Sequence, residues 1–167
     1  MAWTTPKTDF APGDIMNAAE MNAIGENLTV LTSYSNAPAT YTPILAQGAS
    51  TNIAKTVVQA SYLLQGNLLS CSIRLTPTAG GSAGSPITVS IPSVGISLND
   101  AYYLTGAGVY NDGGTRYPCV PYAESGAIGM RRSDTGVSGS IGNTPNFAVA
   151  SSGDELFIAF VVVVNYA

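Results

Sequence analysis

Leu68-Leu-Ser-Cys71-Ser-Ile73-Arg74-Leu75-Thr76 decides the fold. In an extended chain Leu69, Cys71, Ile73 and Leu75 share one side, while Leu68, Ser70, Ser72 and Arg74 share the other. A period of two is that of a β-strand with one face buried, and no helix places those four apolar residues together. Just upstream, Gln65-Gly66-Asn67 reads as a tight turn, preceded by extended runs at 61–65 and 51–59. Downstream, the Gly/Ser-rich stretch 78–85 is a loop. Ile87-Thr-Val89-Ser-Ile91 then alternates again until Pro92 stops it.

The same style continues to the C-terminal end. Residues 101–110 read as a strand, Asn111-Asp-Gly-Gly114 as a hairpin turn and 115–122 as the returning strand. A short strand at 127–132 precedes a Ser/Gly-rich loop at 133–144 and a minor strand at 147–150. The closing run, Glu155-Leu-Phe-Ile-Ala-Phe-Val-Val-Val-Val-Asn165, is apolar on both faces. A strand of that kind needs cover on both sides, from a second sheet and from a helix or a neighbouring subunit. About eight strands with turn signals every 8–12 residues predict an antiparallel β-sandwich or jelly-roll-like domain.

Ahead of it the pattern is helical. Asn17-Ala-Ala-Glu20 has the residue types of a capping box, and Asp14 puts negative charge near the positive end of the helix dipole. Met21, Ile24, Leu28 and Leu31 then recur at spacings of three, four and three, an a/d seam over about two heptads. A helix of roughly 15 residues is marginal alone in water, so the seam needs a partner. Two partners are open, its own β-domain or other copies in a short bundle. The chain is thus predicted mainly β, with an N-terminal arm and short α-helix at 1–35, a Pro-containing linker at 36–43 and a β head at 44–167.

Composition narrows the function. Only 10% of the 167 residues are charged, against about a quarter in typical soluble domains, which leaves neutral surface suited to packing in an assembly. Six scattered basic residues against ten acidic ones give a net charge of −4, which argues against a nucleic-acid partner. The apolar run 156–164 is far short of the ~20 residues of a membrane helix, and residues 3–14 lack the apolar core of a secretion signal. There is no histidine, which removes the usual general base, the common nucleophile pairs and most transition-metal sites. Cys71 and Cys119 are too few for a disulfide scaffold, and Cys71 sits on the apolar side of its strand, as a buried thiol would. Asp112 and Asp154 lie at turns without the spacing of a known calcium loop. The expectation is therefore no catalysis, no cofactor and no bound metal. Tyr102, Tyr103, Tyr110, Tyr117 and Tyr122 crowd the central hairpin and have two open readings, packing within the fold or contact with a receptor or glycan.

The opening Trp3-Thr-Thr-Pro-Lys-Thr-Asp-Phe10-x-x-Gly13-Asp14-Ile15-x-x-Ala18-x-x-Met21-Asn22 resembles the N-terminal module of siphophage virion proteins, among them minor tail proteins, tail fibres and small appendage proteins. Tyr62-Leu-Leu-Gln-Gly66-Asn67 leading to Ile87-Thr-Val-Ser-Ile-Pro92 is similar to phage fibre β-domains. The resemblance covers roughly the first 35 residues and the 60–92 region. It implies a homo-oligomer, most often a trimer, assembled in the host cytoplasm and carried on the virion. Trp3, Phe10 and Asp14 would anchor it to other tail or capsid proteins, Met21, Ile24, Leu28 and Leu31 would oligomerise it, and the head would face outward toward host-surface glycans. The single short β-domain, without a fibre shaft, departs from a full tail fibre and keeps capsid decoration open beside a tail-tip role. A carbohydrate-binding module of a bacterial protein is the third reading.

Overall fold

The computed structural model describes residues 18–33, 37–98, 104–134, 139–143, 148–149 and 153–166. The chain divides into two units between Ala37 and Pro38. The first contributes one helix, α1 (Ala18–Ser33). Asn17, the expected cap, lies outside the described residues, as do Trp3, Phe10 and Asp14.

The second unit is a ten-stranded antiparallel sheet among the described residues: β1 (Ala39–Thr40), β2 (Leu45–Gln47), β3 (Lys55–Gln65), β4 (Leu68–Pro77), β5 (Ile87–Ser90), β6 (Ile96–Leu98), β7 (Leu104–Asp112), β8 (Thr115–Glu124), β9 (Ala127–Arg132) and β10 (Glu155–Tyr166). The spatial order is β1-β3-β4-β10-β7-β8-β9-β5-β2, with β6 paired to β10 off that path. Val164 donates its N–H to Asn67 O on the β4 side of β10, so β6 lies on the β7 side.

Two stretches of chain fold this sheet over on itself. In β8, residues Thr115 to Cys119 pair with β7, whereas Cys119 to Glu124 pair with β9. Near the other edge, Ala39 and Thr40 pair with β3, and Tyr41 still donates to Ala60 O. Only a few residues later Ile44 accepts from Ser90 N, and Leu45 to Gln47 pair with β5. A chain that leaves one layer and joins the other makes a corner of a sandwich. The Tyr41 hydroxyl donates to Ser90 O at 3.2 Å and its ring meets Tyr62 edge-on at 5.7 Å, pinning that corner. The core lies between the layers. Leu69, Cys71, Ile73 and Leu75 of β4 and Leu156, Ile158, Phe160, Val162 and Val164 of β10 meet Leu45, Ile87, Val89, Ile128 and Met130.

Several sequence expectations change. The runs 51–59 and 61–65 form a single strand, β3, beginning at Lys55 and interrupted by a bulge between Val57 and Gln59. The stretch read as linker, 36–43, contains β1, because a Pro-bounded extended segment serves as an edge strand as readily as a spacer. Ala148 and Val149 form no strand, and the remainder of 147–150 lies outside the described residues. The second face of β10 is not fully covered in the single chain: Phe157 is exposed, and Ala159, Val161 and Val163 are half-buried.

Candidate functional site

Alternation along five strands determines what the outer face of the larger layer presents. In β4 it turns Arg74 outward, opposite to Ile73 and Leu75. In β10 it turns Glu155 and Phe157 outward while Leu156 and Ile158 are buried. The β3 bulge inserts Val58, which resets the alternation so that Ala60 points to the core and Gln59 away from it. Register then aligns these side chains in two rungs. One runs Gln59, Arg74, Phe157, Val109 across β3, β4, β10 and β7. The next runs Glu155, Asn111, Arg116 across β10, β7 and β8. Together they line a cleft of ≈ 350 Å³.

The polar groups there are unequally committed. Arg74 donates from Nε to Glu155 Oε1 at 2.6 Å, and its Nη2 lies 2.6 Å from the same oxygen. With side chains 48% and 36% exposed, the pair contributes little stability, and its effect is to hold both groups in place. Gln59 donates to Ser72 Oγ at 3.3 Å, and its carbonyl oxygen is not needed for that bond. Asn111 is spent on the hairpin, donating to Gly153 O and accepting from Gly114 N. Among the described residues no carboxylate lies within ion-pair distance of Arg116. Phe157 lies in the middle of the floor with 42% of its surface open. The single carboxylate of the cleft is bound to an arginine, which is not the facing carboxylate pair of glycoside hydrolysis. An exposed ring beside fixed donors and acceptors can stack on a ligand and hydrogen-bond to it.

No family model, curated protein or solved structure matches this chain.

Of the five tyrosines with two open readings, Tyr110, Tyr117 and Tyr122 lie among the described residues. Tyr110 is fully buried and donates to Asp154 Oδ2 at 2.6 Å; burial foremost, then Asp154, pushes its hydroxyl far above the ordinary tyrosine range. Its ring is core, in keeping with packing, one of the two open readings. Tyr117 packs against the core, with Arg132 over its ring at 5.3 Å. Tyr122 lies on Gly129, where an added Cβ would meet its ring at 2.5 Å. The Arg131 guanidinium sits 4.4 Å from its centroid, and its hydroxyl is 2.8 Å from Ser140 Oγ. Tyr102 and Tyr103 lie outside the described residues.

Asp154 is also engaged in the fold. Besides Tyr110, it accepts from Gly113 N at 3.1 Å, tying the β7–β8 hairpin to the start of β10. Neighbouring Asp112 has its pKa raised by burial and by the Asp154 charge. Cys71 and Cys119 are buried free thiols, each pushed up to about 12 by burial. The alternation of 68–76 already puts Arg74 on an outward face, whereas the run 156–164, apolar on both faces, gives no direction for Phe157.

Proposed function

We propose that this chain is a non-enzymatic structural protein of a bacteriophage particle, a tail-tip or fibre-type component that displays its β unit outward to touch the host surface. The observation that carries the reading is the exposure of Met21 and Ile24, the part of the α1 seam whose side chains are described. Met21 is 61% and Ile24 41% exposed, and every side chain described from Ala18 to Glu26 is exposed or half-exposed. A 16-residue helix with such a seam is not stable by itself in water, and copies of itself are the natural partner. The order of parts agrees: a Trp3-to-Asp14 arm of virion-protein type, then the seam helix, then a β unit. The low charge of the chain suits a subunit that buries surface in an assembly and places few demands on solvation. The assembled form on this reading is a homotrimer.

Removing residues 1–14 tests the anchor. The shortened chain should keep its β-rich circular dichroism and cooperative melting yet be missing from purified particles. Retention on the particle at the wild-type level would refute the anchoring role.

A further inference from the structure

We infer that the cleft over Phe157 is a binding subsite for a sugar ring carrying one anionic group, a carboxylate or a phosphate. The inference rests on the reading of the β unit as the part that meets the host surface, and it specifies what that part would hold.

Three properties of the cleft converge on this class. First, Phe157 is an exposed ring on a flat strand face, and its rung neighbours are Arg74 and Val109. Such a ring takes the apolar face of a pyranose and gives up little ordering entropy, because a strand-borne Phe has only two side-chain torsions. A flexible aliphatic chain would not need the polar rim that surrounds it. Second, planar hydrogen-bonding groups stand on the same two rungs. The Gln59 carbonyl is open as an acceptor, while Arg74 and Glu155 hold each other at 2.6 Å and so are fixed in position before any ligand arrives. Sugar hydroxyls both donate and accept, and a mixed set of fixed donors and acceptors satisfies them without costly rearrangement.

Third, charge selects among sugars. Arg74 and Glu155 neutralise each other, whereas Arg116 brings a positive charge with no carboxylate partner among the described residues. The cleft is thus locally positive on a chain whose net charge is −4. Arg116 stands on β8, two strands from Phe157 on β10 and one rung along, about 12 Å at ordinary strand spacing and rise. A ring stacked on Phe157 with an anionic substituent pointing toward β8 comes within reach of that guanidinium, which binds carboxylate or phosphate through paired N–H groups. The volume of ≈ 350 Å³ admits one or two sugar rings and no long stretch of polymer.

The test uses the full chain with glucuronate, glucose 6-phosphate and glucose, followed by saturation-transfer NMR and titration. Binding of either anionic sugar, at least five-fold tighter than glucose, is the expected result, and which of the two wins separates carboxylate from phosphate recognition. Arg116→Gln should abolish that preference, and Phe157→Ala should abolish binding of both while the thermal melt stays cooperative. As a second measurement, Val120→Ala, an exposed position away from the cleft, should leave binding unchanged. Equal binding of glucose, binding by none of the three, or anionic binding that survives Arg116→Gln would overturn the inference. None of those results would touch the virion reading, which stands or falls on where the chain is found on particles.

Discussion

At Asp154 the fold places a carboxylate with only 2% of its surface exposed and satisfies it with a phenol and a backbone N–H. Removing the phenol leaves a buried acceptor short of a partner. Tyr110→Phe should cost about 1.5–3 kcal/mol, read as a lower midpoint in urea with an unchanged slope. Asp112 pulls the other way. Its folded pKa is above the ordinary 3.8, so ionising it opposes folding, and the stability present below that value is lost as pH rises through the folded pKa. Asp112→Asn should therefore raise the melting temperature at pH 7 and leave it unchanged near pH 3, where the carboxyl is protonated both folded and unfolded. The two thiols offer a third check. At a pKa of about 12 only ~10⁻⁴ of each is thiolate at pH 8, so both should resist a thiol reagent in the native protein and react at once in denaturant.

Elements differ in how far they can be read from the chain. β4 and β9 follow from their patterns, because each has one face against the core, and β10 follows from its long apolar run. The hairpin at 113–114 follows too, since Gly113 and Gly114 supply the positive φ values of 54° and 107° that a two-residue turn needs. β2 and β6 have three residues each, too few for a period to show. The β3 bulge hides because Val57 and Val58 are both apolar, so the extra residue leaves no break in the pattern. Gln47 was invisible for a different reason, as a polar residue at 0% exposure is legible only once its partners are placed. It donates to Ser85 O and accepts from Val149 N at 2.8 Å, joining β2 to two distant loops. Gln47→Leu should leave Val149 N unpaired and cost about 2–4 kcal/mol in urea unfolding. The cleft was half legible: strand periodicity gives the outward direction of Arg74 but not of Phe157, and pairing five strands in register is a long-range outcome.

For the whole molecule, the exposed Met21 and Ile24 of α1 and the partly open second face of β10 are apolar surfaces of the kind an assembly covers. The charged side chains of the outer face gather at the cleft, while Ala159, Val161 and Val163 continue the same side of β10 without charge. Self-association through the helix is tested directly by Met21→Asp combined with Leu28→Asp. Light scattering should report a trimer for the parent chain and a mass near the 17.1 kDa of one chain for the variant. An unchanged mass would move the oligomer contact away from the helix. The most direct test of the account is immunogold labelling of this chain on intact particles from the lysate that produces it. Gold concentrated at the tail end is the predicted result. Gold spread over the capsid would contradict the tail assignment and make the chain a capsid decoration protein, and particles without gold would contradict the virion reading itself.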